Sequence, residues 1–454
     1  MASIAPPKKE QKLESWHRNC MANFPTEVLN LMTGYLNGFS ILSLYNCGSG
    51  LLNYKLRKNG AVTHFRVRCH ADVFPPYRDW RNHNFHSLAL FQSLQTLEFL
   101  GFSNYAFRYF CTPIIERLSP TIQVIRFDFI ESLTMWVNVT KFPRSANLFE
   151  PFPIGEQFPN LRVLELRSRF WDRLTIYKGK DCVAYTWTPS SRAAFLSCLP
   201  ASLSKLTISA NGCPSDFPTH LPPNLDTLTV DASHEAPTDW IVHLNPSIRH
   251  LVVTGTTSGP KIEEMKLLPR DLEVLHLNGL RESPEQLQQL QNPVPEFPHL
   301  LKELRITDKT SWIGEEVIKT LPSTLTTLCL STCSNALKDD VVQHFPRSLT
   351  HLYLSSEIAE ITDISHLALM DLPGQLRLLN LASKQRWPWS CFEMLPHTLE
   401  YLAHRLFEPS ENPDDPSMAP QAALAYWKRK TPPGCQVVTL SWFAGEDLDN
   451  HQNQ

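Results

Sequence analysis

The chain has 454 residues, of which 42% are hydrophobic and 19% are charged, a composition typical of a folded protein. Its 42 basic and 45 acidic side chains give a net charge of −3, so no overall basic field favours binding to nucleic acid. No apolar run predicts a membrane span or a secretory signal. Eleven cysteines without paired spacing predict free thiols, and we expect a cytoplasmic or nuclear location.

Two short segments precede the main body of the chain. Residues 1–20 are polar, have no apolar rhythm and predict a disordered tail. Residues 21–59 predict a pair of short helices, the first of which begins at Pro25 and carries a broad apolar stripe. The apolar positions are Val28, Leu29, Met32, Tyr35 and Leu36, followed by Ile41, Leu42 and Leu44. Helices this short cannot bury so much apolar surface between themselves, which indicates a partner site.

Residues 24–47 resemble an F-box, in which an apolar residue and Pro precede Glu-Val-Leu, a Tyr-Leu pair and a second apolar helix. The opening Leu of that family is replaced by Phe24, and its Cys-Lys-x-Trp ending by Cys47-Gly48-Ser49-Gly50. The resemblance implies binding to the Skp-type adaptor of a cullin-RING ubiquitin ligase. The implied adaptor-binding residues are Phe24, Pro25, Val28, Leu29, Leu36, Ile41 and Leu42. The alternative is a cap that packs its apolar stripe on the first repeat.

One phrase recurs through residues 199–404: an apolar residue, Pro, two further residues, then Leu-x-x-Leu-x-apolar. We call the first Leu of Leu-x-x-Leu the anchor; it returns every 22–29 residues, a period typical of solenoids. The nine anchors are Leu203, Leu225, Ile248, Leu272, Leu301, Leu325, Leu349, Leu376 and Leu399. Looser copies in residues 60–198 have anchors at Leu94, Ile122 and Leu161, and residues 62–67 predict an opening strand.

The phrase alternates apolar and polar residues after the anchor, which predicts a short strand with one buried face. Residues 262–268 and 315–321 place apolar side chains at helical spacing and predict helical returns between strands. Each following Pro prevents the helix from continuing. Two aromatic-rich interruptions, at residues 131–157 and 167–199, predict loops or small hairpins that leave the array.

These repeats resemble the leucine-rich-repeat family, over about three quarters of the chain. With the preceding segment, the order is similar to that of F-box proteins with leucine-rich repeats. The resemblance implies an α/β horseshoe-shaped solenoid over residues 60–404, with parallel strands on the concave face and helical turns on the convex face. The spacing of the repeats is irregular over residues 60–198 and regular over residues 199–404. Many members carry Asn or Cys in the turn after each strand; here only Asn211 and Cys333 do so in the nine clear copies.

Residues 405–454 predict a C-terminal cap, with a helix over 419–430, a strand over 436–443 and a loose tail from Gly445. An array of stacked repeats needs such a cover on its last repeat.

The polar strand positions of the regular repeats predict a substrate-binding patch on the concave face, because Arg and Tyr dominate the energetics of protein interfaces. The predicted residues are His250, His276, Arg305, His351 and Tyr353. Strands spaced about 4.8 Å apart hold the three histidines too far apart for one metal ion. The chain carries no phosphate loop, nucleophile elbow or zinc motif, so we expect neither an enzyme nor a cofactor.

The sequence therefore favours the substrate-recognition subunit of a Skp–cullin–F-box ubiquitin ligase, with an adaptor and a protein substrate as partners and no role for nucleic acid or membrane. The first alternative is a leucine-rich-repeat scaffold for protein interactions without a ubiquitin role. A weaker one is a microbial effector delivered into a host cell.

Overall fold

The computed structural model describes residues 28–29, 32, 41, 55–56, 62–68, 90–102, 118–129, 154–167, 174–178, 181–185, 189–209, 215–231, 239–254, 262–277, 296–307, 315–330, 337–354, 364–381, 394–404 and 435–439. They fall into two compact units, Met1–Asp231 and Ala232–Gln454. None of the helices in these ranges is both long enough and apolar enough to cross a membrane.

The described part of the first unit contains six parallel strands that follow one another in chain order. They are β1 (His64–Arg68), β2 (Thr96–Phe102), β3 (Val124–Phe129), β4 (Val163–Arg167), β7 (Lys205–Ser209) and β8 (Thr227–Asp231). Between β4 and β7 the chain leaves the sheet as an antiparallel hairpin of β5 (Leu174–Lys178) and β6 (Asp181–Tyr185). Among the described residues, the helices whose bounds are resolved are α1 (Ile154–Gln157), α2 (Pro189–Ser197) and a 3-10 turn at Phe217–His220.

The described part of the second unit contains eight parallel strands in chain order. They are β9 (His250–Thr254), β10 (Val274–Leu277), β11 (Glu303–Ile306), β12 (Thr327–Leu330), β13 (His351–Leu354), β14 (Leu378–Leu381), β15 (Tyr401–His404) and β16 (Gln436–Thr439). The returns are α3 (Glu315–Lys319), α4 (Asp339–Val342) and 3-10 helices at Asp239–His243, Ile262–Leu267 and His366–Asp371.

The recurring Pro forms the turn that leads into each strand. In eight of the nine clear copies the anchor N–H donates to the carbonyl of the Pro three residues earlier, at 3.0–3.2 Å, which closes a β-turn. In the ninth copy Ile248 bonds the carbonyl of Asn245 instead, at 3.1 Å. The Pro therefore both ends the preceding return and fixes the direction of the next strand.

The anchors and the alternate strand residues form the core of each unit. All twelve anchors, including the three looser ones, are no more than 2% exposed. From β10 to β13 burial alternates strictly, with the second and fourth residues buried and the first and third half-buried. Burying each such side chain contributes roughly 1.5–3 kcal/mol. The leucine-rich-repeat architecture predicted from the phrase is thus present in both units.

A second series of contacts links successive repeats through hydroxyl groups. The Ser or Thr that directly precedes an anchor donates to the carbonyl of the previous anchor. The bonds are Thr121 to Leu94 (2.9 Å), Ser202 to Leu161 (2.8 Å), Thr324 to Leu301 (2.9 Å), Ser348 to Leu325 (2.6 Å) and Thr398 to Leu376 (2.7 Å). We call these bonds the hydroxyl ladder. They satisfy backbone carbonyls that the parallel pairing of the strands leaves open.

Several predicted elements differ in detail. The opening strand is His64–Arg68, and the last is Gln436–Thr439, shorter as described than predicted. The return predicted over 262–268 is a 3-10 helix, with Met265 and Leu268 buried, whereas Glu315–Lys319 is α-helical. The second interruption contains the hairpin and α2. The predicted helix over 419–430 lies outside the described residues.

Candidate interaction surface on the polar sheet face

In β9 to β13 the first and third residues of each strand are half-buried and lie opposite the buried second and fourth residues. We call the surface that these positions form in the second unit the polar sheet face; on β14 its third position, Asn380, is buried. The first positions align as His250, Val274, Glu303, Thr327, His351, Leu378 and Tyr401. The third positions align as Val252, His276, Arg305, Cys329, Tyr353, Asn380 and Ala403. All five predicted substrate-binding residues occupy this face; their binding role stays a prediction.

Glu303 brings two of the five predicted residues together. Its Oε1 atom lies 2.8 Å from His276 Nε2 on β10 and accepts from Arg305 Nε on its own strand at 2.7 Å. The three side chains are 26–28% exposed, so they are held in place yet reachable from solvent. The bonds from His276 and the nearby charge of Arg305 lower the pKa of Glu303 to about 2. Glu303 is therefore ionised at neutral pH and fixes both neighbours.

The other three predicted residues lie apart from this cluster. His250 is aligned with Val274 at the first position of β9, while His351 and Tyr353 lie on β13, two strands beyond Glu303. The Thr350 hydroxyl oxygen lies 2.8 Å from His351 Nδ1 and 3.0 Å from the Thr326 carbonyl oxygen, which holds the imidazole ring in place. Burial, with the charge of Arg377, lowers the pKa of His351 and favours its neutral form.

Between these two groups, β12 presents two small side chains, Thr327 and Cys329. Burial raises the pKa of the Cys329 thiol to about 11, so it is a neutral thiol at physiological pH and a poor nucleophile. The register sets Cys329 between the larger Arg305 and Tyr353, and we call the position of the two small side chains the β12 notch.

The first unit carries an ion ladder on the corresponding third strand positions. Arg66, Glu98, Arg126 and Glu165 are aligned across β1 to β4, and Lys205 begins β7. Glu98 pairs with both Arg66 and Arg126. Glu165 Oε2 lies 3.3 Å from Arg126 Nε, and Glu165 Oε1 lies 2.9 Å from Lys205 Nζ. Each carboxylate of this ladder therefore lies between two cations.

The carboxylates of the ion ladder are enclosed, since Glu98 is 1% and Glu165 5% exposed. Burial alone would raise the pKa of Glu98, but the hydrogen bonds and charges of Arg66 and Arg126 outweigh it and lower that pKa. For Arg126, desolvation opposes the charged form, yet its two carboxylate partners raise its pKa.

Sequence reasoning missed Glu303 as the centre of the second-unit cluster and missed the ion ladder altogether. Glu98, Arg126 and Glu165 stand at the same phrase position in successive repeats, so alternation of charge at the repeat period was the available signal. Within the described ranges, no group of three His, Cys, Asp or Glu could hold a metal ion.

The predicted adaptor-binding segment is described at few positions. Val28 and Leu29 are helical, and Val28 is 39% exposed while Leu29 is fully buried. Ile41 is also fully buried. Phe24, Pro25, Leu36 and Leu42 lie outside the described residues, so the predicted role of the set stays a prediction.

No protein-family model and no curated protein matches the chain. A circular leucine-rich-repeat protein, CroV588, is similar at 14% identity and a TM-score of 0.34, over 76% of this chain and 38% of that one. The Toll–Spatzle complex of Drosophila is similar at 16% identity and a TM-score of 0.39, over 85% of this chain and 44% of that one. The chain thus spans about two fifths of the length of these matched chains. The assignment of leucine-rich repeats rests on its own anchors and strand register.

Proposed function

We propose that the chain is a leucine-rich-repeat scaffold for protein interactions and that a polypeptide partner binds the polar sheet face of the second unit. The supporting observation is the register of β9 to β15, which aligns charged, aromatic and small side chains in two continuous columns. Such a surface offers Arg and Tyr, residues that carry much of the binding energy at interfaces. Hydrogen bonds already hold Arg305 and His351, so little side-chain entropy is lost on binding.

Site-specific photocrosslinking tests this proposal. A photoreactive phenylalanine analogue replaces Thr327 on the polar sheet face or, as the control, exposed Ser323 in the turn before the same strand. We expect position 327 to capture a protein that position 323 does not. That protein is then identified by mass spectrometry, purified and titrated against the chain by calorimetry.

The titration decides whether the captured protein uses this face. Tyr353→Ala should weaken its binding by about tenfold or more, since truncating an interface aromatic commonly costs about 2 kcal/mol. Equal capture at positions 327 and 323, or an unchanged affinity for Tyr353→Ala, would contradict the proposal.

The second candidate function is that of a ubiquitin-ligase subunit, and one observation favours this hypothesis. Val28, a predicted adaptor contact, leaves 39% of its surface exposed on a helical residue. The full burial of Leu29 and Ile41 fits the alternative, in which the segment packs against the chain itself.

Binding to a purified Skp-type adaptor separates the two readings of this segment. Val28→Asp should abolish adaptor binding without unfolding the chain, because the side chain is already partly in water. Val242→Asp, at an equally exposed apolar position (44%) in the second unit, serves as the matched control. A wild-type chain that does not bind the adaptor excludes the ubiquitin-ligase reading and leaves the scaffold proposal intact.

A further inference from the structure

Arg126 in the first unit shows how an arginine at the third strand position is satisfied in this chain. One terminal nitrogen pairs with Glu98 on the preceding strand, and Nε pairs with Glu165 on the following strand at 3.3 Å. The register places Glu98, Arg126 and Glu165 side by side on β2, β3 and β4. One guanidinium therefore bridges two carboxylates.

Arg305 occupies the same strand position in the second unit, but it has a single carboxylate partner, Glu303, which lies on its own strand and not on a neighbouring one. Its Nε donates to Glu303 at 2.7 Å. The aligned residue on the following strand, where Glu165 stands beside Arg126, is Cys329. Within the described part of the chain neither terminal nitrogen of Arg305 has a hydrogen-bond or ion-pair partner.

The small side chains of the β12 notch are the feature that would admit a second carboxylate beside Arg305. Thr327 and Cys329 are small, and both are only half-buried. The strands that flank β12 lie about 10 Å apart at the backbone, twice the usual strand spacing. A carboxylate side chain entering from solvent could reach the two terminal nitrogens of Arg305 side by side, the geometry of a strong bidentate pair.

The charge balance favours one carboxylate over a phosphate dianion. Glu303 is ionised and already offsets the charge of Arg305, while the other flanking group, His351, is neutral. An added single negative charge would give Arg305 two carboxylate partners, as Arg126 has, although without the further cations Arg66 and Lys205 of the ion ladder. A phosphate would add about 1.5 to 2 negative charges beside Glu303.

We propose that the β12 notch is a specificity site in which Arg305 binds the carboxylate of an Asp or Glu side chain of the partner polypeptide. The partner then supplies the group that Glu165 supplies to Arg126 within the first unit. This inference rests on the proposed function, since it names the chemistry by which the polar sheet face recognises its partner.

Matched peptide libraries test the inference on the full-length chain. One immobilised library of ten-residue peptides has a central Glu and random flanks, a second has Gln in its place, and a third has phosphoserine. We expect wild-type chain to bind the best Glu peptides about tenfold or more tightly than their Gln counterparts, the difference expected for charge-assisted hydrogen bonds. Equal binding of the Glu and Gln members, absence of binding to any Glu peptide, or a tenfold preference for phosphoserine would overturn the inference.

Four variants locate the effect. Arg305→Gln should remove the preference for Glu. Cys329→Glu should remove it as well, because it places an internal carboxylate next to Arg305, whereas Cys329→Gln adds the same bulk without the charge and should keep a preference. Lys302→Gln removes an equal charge from the residue just before β11, where Lys302 Nζ bonds Glu273 at 2.7 Å, and should change binding by less than about twofold.

Circular dichroism of each variant confirms that the chain is folded, so that differences in peptide binding can be assigned to the substituted side chain. A Lys302→Gln loss as large as that of Arg305→Gln, or a Cys329→Glu chain that still prefers Glu peptides, would overturn the inference. Neither result would affect the proposed scaffold function if the photoreactive residue at position 327 captures a protein whose affinity falls in the Tyr353→Ala variant.

Discussion

Glu98 is only 1% exposed, and its buried negative charge is balanced by Arg66 and Arg126. Glu98→Ala removes this carboxylate from two arginines that water still reaches, and Arg126 keeps Glu165, so the free energy of unfolding should fall by about 1.5–3 kcal/mol, as for lost hydrogen bonds to charged groups. Glu400→Ala is the control: Glu400 is 69% exposed, lies 3.8 Å from Arg377 and should matter by less than about 1 kcal/mol. Equal urea midpoints for the two variants would contradict a structural role for the ion ladder.

Glu303 makes the stability of the second unit depend on pH. Its folded-state pKa of about 2 lies below the ordinary value of 4.5, so its contribution is complete above about pH 4.5 and is lost as the pH falls toward 2. Glu303→Gln does not titrate. The difference in free energy of unfolding between wild type and Glu303→Gln should therefore shrink over that interval when urea unfolding is measured at successive pH values. A constant difference from pH 5 to pH 2 would show that the bonds to His276 and Arg305 do not hold the carboxylate in solution.

The sequence predicted which face of a strand a residue occupies, but not which side chains it contacts. Alternation along each strand placed His276, Arg305 and Tyr353 on one face, because that face follows from the backbone alone. The bond from Glu303 to His276 crosses between strands 27 residues apart in the chain and depends on which rotamers meet. No local pattern encodes that choice.

The hydroxyl ladder links successive repeats at the residue that precedes each anchor, ahead of the strand. Thr324→Val keeps the shape of the side chain but removes the hydroxyl, which lies 2.9 Å from the Leu301 carbonyl and 2.8 Å from the His299 carbonyl. We expect a loss of about 0.5–1.5 kcal/mol in the free energy of unfolding, measured by urea titration. Ser323→Ala, at the exposed neighbouring position, should leave the midpoint unchanged. Equal effects of the two variants would contradict the ladder.

Elements were predictable to the extent that their signal repeats. The anchors were placed correctly because each buried Leu is specified by the same short phrase, and the Pro carbonyl fixes the turn before it. The return over Ile262–Leu267 is a 3-10 helix rather than an α-helix. In a return this short, the type of helix depends on the distance between the two strands that it joins, and the sequence does not reveal that distance.

Repeats contact their neighbours in sequence, so the stability of the second unit should build up rung by rung. Thr324 and Thr398 precede β12 and β15, which lie three strands apart. We expect the losses of Thr324→Val and Thr398→Val to add in the double variant within about 0.5 kcal/mol, as they do for separated sites. A double-variant loss well outside that sum, measured by urea unfolding, would show coupling beyond neighbouring repeats.

The regular half of the molecule was more predictable than the irregular half. Residues 199–404 carry a strong phrase, whereas β1 to β4 carry weaker copies separated by long interruptions. The interruption after β4 forms a hairpin whose pairing depends on its own strands rather than on the repeat. The horseshoe outline and the adaptor-binding segment stay predictions.

Histidine footprinting tests most directly whether a polypeptide binds the polar sheet face. The purified partner captured at position 327 is added to the chain, and carbethoxylation of each histidine is read by mass spectrometry. We expect the partner to protect His276 and His351 by about tenfold, while His299 and His344, which lie outside the aligned columns of β10 to β13, stay reactive. Protection of His299 and His344, with His276 and His351 still reactive, would contradict it.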